Sequence, residues 1–76
     1  MSIDTRSIAD KAIALVKLSY DRGTDFRFED FNCAGYGKNK RYRAIVSCLL
    51  NKERIFIKVV FDTDLQVTTL IKIKVD

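Results

Sequence analysis

The chain has 76 residues, of which 47% are hydrophobic and 32% charged, with three Gly, no Pro, no His and a formal net charge of +4. That is room for a single domain, 1–76, of globular rather than disordered composition; a domain so short buries only about 60% of its unfolded surface and gains from a partner or a homodimer. No stretch approaches the roughly 18 apolar residues of a membrane span, and Met1-Ser2-Ile3-Asp4 lacks a signal-peptide pattern, so a cytoplasmic protein without membrane contact is expected.

From Ser7 to Arg22, Ile8, Ala12, Leu15, Val16 and Ser19 fall on one helical stripe, with Ala9, Ile13 and Tyr20 beside it. Ser7 followed by Asp10 reads as a capping box with Asp for Glu, and Arg22-Gly23 as the stop. Thr24 to Phe28 alternates Phe26 and Phe28 with Asp25 and Arg27, a short extended piece. Glu29 to Ala34 carries acids first and is expected to form a short second helix, ended by the turn Gly35-Tyr36-Gly37.

Lys38-Asn39-Lys40-Arg41-Tyr42-Arg43 holds four of the fourteen cations; the remaining ten balance the ten acids, so the whole net charge resides here. A basic cluster of this kind marks a surface that meets anions. The segment from Lys38 to Asn51 admits two readings. A strand would leave Ile45 and Leu49 on the face of Arg41 and Arg43, a poor amphipathic pattern. A helix places Tyr42, Ile45, Val46, Leu49 and Leu50 on one stripe and Lys40, Arg43, Ser47 and Asn51 opposite, and this template fits better. Two alternating runs close the chain, Arg54 to Phe61 and Leu65 to Val75. Pairing Phe61 with Leu65 across Asp62-Thr63-Asp64 sets Ile55, Ile57, Val59 and Phe61 on one face with Leu65, Val67, Thr69, Ile71, Ile73 and Val75.

Cys33 and Cys48 are the only cysteines. Without His they complete no metal site, and in a cytosolic chain they are expected as reduced, half-buried thiols. No paired acid and base suggests catalysis, so no catalytic residue and no cofactor is expected.

Helix, extended piece, short helix, Gly-containing turn, basic amphipathic helix and hairpin succeed one another in an order that resembles the winged-helix form of the helix-turn-helix DNA-binding domain, an α+β fold of three helices and a C-terminal two-stranded antiparallel hairpin. The likeness rests on element order, on Phe26-Arg27-Phe28-Glu29-Asp30-Phe31 leading into the short helix and on Leu49 to Ile55 leading out of the long one. It implies a duplex DNA partner and a role in transcription. Lys38, Asn39, Lys40, Arg41, Arg43 and Ser47 would then lie on the recognition helix, and Lys58, Lys72 and Lys74 on the wing. The alternative function is a small protein-binding module or inhibitor, of phage or mobile-element type, that sets the basic patch against an acidic protein surface. The alternative fold, if Ala44 to Leu50 is a strand, is one helix packed on a four-stranded antiparallel sheet, the general build of some small ribonuclease toxins.

Overall fold

Ile8, Ala12 and Val16 recur every fourth residue, and in the computed structural model, which describes residues 5–73, they are the buried stripe of helix α1 (Thr5–Ser19). Ser7 lies inside this helix, not at its cap. At the other end the amide of Gly23 donates to the carbonyl of Tyr20 (2.9 Å) and turns the chain into the sheet.

Four strands follow among the described residues: β1 (Thr24–Ala34), β2 (Arg41–Leu50), β3 (Glu53–Phe61) and β4 (Val67–Ile73), in sheet order β1-β2-β3-β4 with every neighbouring pair antiparallel. The fold is therefore one helix on a four-stranded sheet, and the three-helix winged-helix expectation is corrected. Two helices expected from the sequence are strands. Glu29–Ala34 continues β1, and β2 begins inside the basic cluster, at Arg41.

The turn chemistry explains why β2 extends against its helical period. Leu50 pairs with Glu53, so Asn51 and Lys52 alone form the loop, and their φ values of 53° and 68° are those of a type I′ hairpin turn. This turn binds β2 to β3 over nine residue pairs, from Tyr42↔Phe61 to Leu50↔Glu53. Burial completes the choice: Ala44, Val46, Cys48, Ile57, Val59 and Phe61 all point to one side and are fully enclosed in one core with Ile8, Ala12 and Val16 of α1. Burying one large aliphatic side chain contributes about 1.5–3 kcal/mol, more than the few tenths separating helix from strand propensity.

The last hairpin departs from the expected register as well. Asp62 pairs with Gln66 through the bond from its amide to the Gln66 carbonyl (3.0 Å), and its carboxylate accepts the amides of Asp64 (2.9 Å) and Gln66 (3.0 Å) while Leu65 takes φ 60°. The loop is thus Thr63-Asp64-Leu65. Phe61 then pairs with Val67, but Val60 pairs with Thr69, so Thr68 is a bulge residue and inverts the parity of the residues after it. Ile71 and Ile73 consequently lie on the face of Lys58 and Phe56, and Leu70 and Lys72 on that of Val59 and Ile57. The expectation that Ile71 and Ile73 join the core is corrected.

Candidate functional site

The least dimension of the molecule is 17 Å, the thickness of one helix layer on one sheet. α1 packs against β1 and β2 on the core side. Among the described residues no element covers the other side. Paired residues share a face, so the register gives the content of this bare face row by row. One row is Asn32, Arg43, Val60 and Thr69; the next is Asp30, Ile45, Lys58 and Ile71; the third is Arg27, Ser47, Phe56 and Ile73. Leu49 and Arg54 end it at one edge and Arg41 at the other.

Apolar side chains run through all three rows of this face. Ile45, Phe56, Val60 and Ile73 are half-buried by their neighbours, while Leu49 and Ile71 are 36% and 46% exposed. Its charge is unbalanced: Arg27, Arg41, Arg43, Arg54 and Lys58 face Asp25 and Asp30. Arg27 (2.8 Å) and Arg54 already share Asp25. Arg43 and Lys58, diagonal neighbours roughly 7–8 Å apart by cross-strand geometry, are left to whatever approaches.

The Arg54 guanidinium is fixed on three sides. It donates to the Ser47 hydroxyl (2.8 Å), to the Asp25 backbone carbonyl (3.1 Å) and to the Asp25 carboxylate. Asp25 reaches it from a bulge in β1 where φ is 51°. Burial pushes the Asp25 carboxyl up, but hydrogen bonding and charge from Arg27 and then Arg54 together hold it below the ordinary carboxylate range. Burial likewise pushes the Cys48 thiol up, against a smaller lowering by Arg54.

The basic hexapeptide does not act as one unit. Lys38 and Asn39 sit exposed on a single 3-10 turn (Gly37–Asn39). Lys40 turns its ammonium over the Tyr42 ring (5.4 Å to the centroid), and Tyr42 stacks on Phe31 (6.2 Å). Arg41 folds back to donate to the carbonyls of Lys40 (3.0 Å) and Lys38 (3.3 Å). Arg43 stands exposed on the bare face. The recognition-helix placement of these residues is corrected, because strand alternation sends Arg41 and Arg43 to one side and Lys40 and Tyr42 to the other. Ser47 is fully buried beneath Arg54. Lys58 lies at the middle of the bare face, Lys72 on the opposite face of β4, and Lys74 lies outside the described residues.

Sequence reasoning missed Ile45, Ile71 and Ile73 as residues of this face; the outward side of Phe56, Lys58 and Val60 follows from the alternation of β3 alone. The signal lay in Ile45 and Leu49, whose misfit to an amphipathic strand argued against a strand when it described an apolar outer face. Among the described residues no group of three or more His, Cys, Asp and Glu is placed to hold a metal ion, and no helix is long and apolar enough to cross a membrane. Cys33 is exposed and Cys48 buried, and both are free thiols. No protein-family model, curated protein or solved structure matches the chain.

Proposed function

We propose that this protein is a protein-interaction module that sets the bare face of its sheet against an acidic protein surface. The observation that carries this is the make-up of that face: aliphatic side chains in three successive rows, with Arg43 and Lys58 among them and Arg41 at the rim. Apolar area on an uncovered face draws a protein partner, and cations set within that area select one that carries acids. Nucleic acid asks for something else, cations along a groove and exposed rings for bases. Here the bare face offers one half-buried ring, Phe56, and the cations of the hexapeptide are divided between two faces.

A nucleic-acid partner is the second reading, favoured by one feature. Tyr36 is 92% exposed on the loop that also carries Lys38 and Asn39, at the end of the sheet where Arg41 begins β2.

A photo-crosslinker at Val60, compared with one at the exposed Leu18 of α1, separates these readings in nuclease-treated lysate. The protein reading expects a discrete protein adduct from Val60 and not from Leu18, weakened by salt and by Arg43→Glu with Lys58→Glu. Loss of the adduct on nuclease treatment would sink it, above all if purified protein bound duplex with a log-log salt slope near about −2.7, the value for three phosphate contacts.

A further inference from the structure

The two edges of the sheet are unlike. β1 is broken by register shifts between Thr24 and Arg27 and between Phe28 and Asp30, has Asp25 at positive φ, and carries Asp25, Glu29 and Asp30. These are the devices that stop an edge from pairing. β4 has one bulge, at Thr68, after which Thr69 to Ile73 runs in unbroken register with β3. Its only charge is Lys72, and no strand among the described residues pairs with its outer side.

We infer that the Thr69–Ile73 stretch of β4 is a self-association edge, at which two copies of the chain join their sheets about a two-fold axis. A two-fold perpendicular to the sheet requires paired residues to share a face, so the register must be centred on a residue. Only one centre, Ile71, pairs every residue of the regular stretch. It sets Ile71 against the partner's Ile71, Thr69 against the partner's Ile73, and Lys72 against the partner's Leu70. No like charges meet. A centre one residue further on would oppose two lysines, which is unfavourable. A foreign strand finds less here, because β4 has no acid and one cation with which to select it, whereas its Thr and Ile alternation complements itself.

The consequence reaches the bare face. The row Ile45, Lys58, Ile71 would run on across the axis into the same row of the partner, turning two four-stranded sheets into one continuous sheet with both recognition faces on the same side. This goes beyond the proposed function, and it is measured without any partner protein, so either idea can fail alone.

Sedimentation velocity on the full chain from about 1 µM to about 1 mM is the test, the range being set by an edge interface at the low end of specific interface areas. The mass should move from 8.8 kDa toward twice that value with concentration. Ile71→Lys and Ile71→Glu should each stay at one chain throughout, with unchanged far-UV circular dichroism, and an equimolar mixture of the two should dimerise at least about as well as the unsubstituted chain. Hydrogen exchange at high concentration should slow for amides of Thr69 to Ile73 and not for β1. A chain monomeric to about 1 mM leaves the edge to a foreign strand and overturns the proposal. So does a dimer that Ile71→Lys leaves intact, a mixture that fails to associate, or protection that falls on β1 or α1.

Discussion

Lys58 stands directly opposite Ile45 on the side of the sheet that α1 leaves open, with Ile71 on its other flank. A cation between two aliphatic side chains is costly in a core and useful on a surface that will be covered, where its stem adds apolar area and its charge selects the partner. The two sides of the sheet should therefore differ sharply in their response to truncation. Ile57→Ala, on the fully buried side, should cost about 2–5 kcal/mol in urea unfolding, a large fraction of the stability of so short a chain. Ile71→Thr should stay within about 0.5 kcal/mol of the unsubstituted protein. Comparable losses would mean that the bare face is already covered in the folded monomer.

Arg54 ties β3 to β1 across β2 and covers the Ser47 hydroxyl to which it donates. Arg54→Ala should destabilise by about 1.5–3 kcal/mol, the usual range for losing hydrogen bonds made by a charged group. Ser47→Ala should cost less in the Arg54→Ala background than alone, giving a coupling of about 0.5 kcal/mol or more in a double-mutant cycle of chemical denaturation curves. Strict additivity would show that the Ser47 contact carries no energy.

How much of this was legible before the structure divides by the range of the cause. α1 was readable because Ile8, Ala12 and Val16 repeat within the segment itself. The alternation in β3 was equally local. β2 was not, since the period of Tyr42, Ile45, Val46, Leu49 and Leu50 is helical, and the decision came from Asn51-Lys52 adopting a type I′ turn and from nine pairs with a strand still to come. The composition of the bare face was hidden twice over. A strand with apolar residues on both faces looks like a bad strand until it is known that α1 is the one α-helix among the described residues and covers only one of them. A single bulge at Thr68 then moved Ile71 and Ile73 from the expected core to the surface, a displacement that residue alternation cannot reveal.

Acid should weaken the protein through Asp25. Its folded carboxyl titrates below the ordinary value of 3.8, because the raising effect of burial is outweighed by Arg27 and Arg54 together. A depressed folded value means that the native state binds the proton less readily than the unfolded chain, so the contribution is complete above about 3.8 and is lost as pH falls through and below it. Asp25→Asn should remove that part of the acid dependence, so that the stability curves of the two proteins converge at the lowest pH. Thermal unfolding between pH 2 and pH 6, about two units either side of the unfolded value, is the measurement. Parallel curves over the whole range would show that Asp25 is not held in this way.

The loop between β1 and β2 offers two glycines with different reasons to exist. Gly35 has φ 88°, and a Cβ placed there would sit 2.5 Å from the Asn39 carbonyl oxygen; Gly37 has φ 56°, and a Cβ there would meet nothing within 4 Å. Gly37→Ala should therefore cost only the left-handed backbone term, about 1–2 kcal/mol. Gly35→Ala should cost that and the displacement of Asn39 as well, and it should move the Lys38 and Lys40 carbonyls away from the Arg41 guanidinium that they fix. In a domain of this size each kcal/mol lowers Tm by about 4–8 °C, so the two variants should be well separated in a melting experiment. The Arg41 side-chain resonances should shift in Gly35→Ala alone. Equal melting temperatures for the two variants would contradict the close approach at Gly35 and, with it, the path by which the chain brings Arg41 and Arg43 onto the bare face.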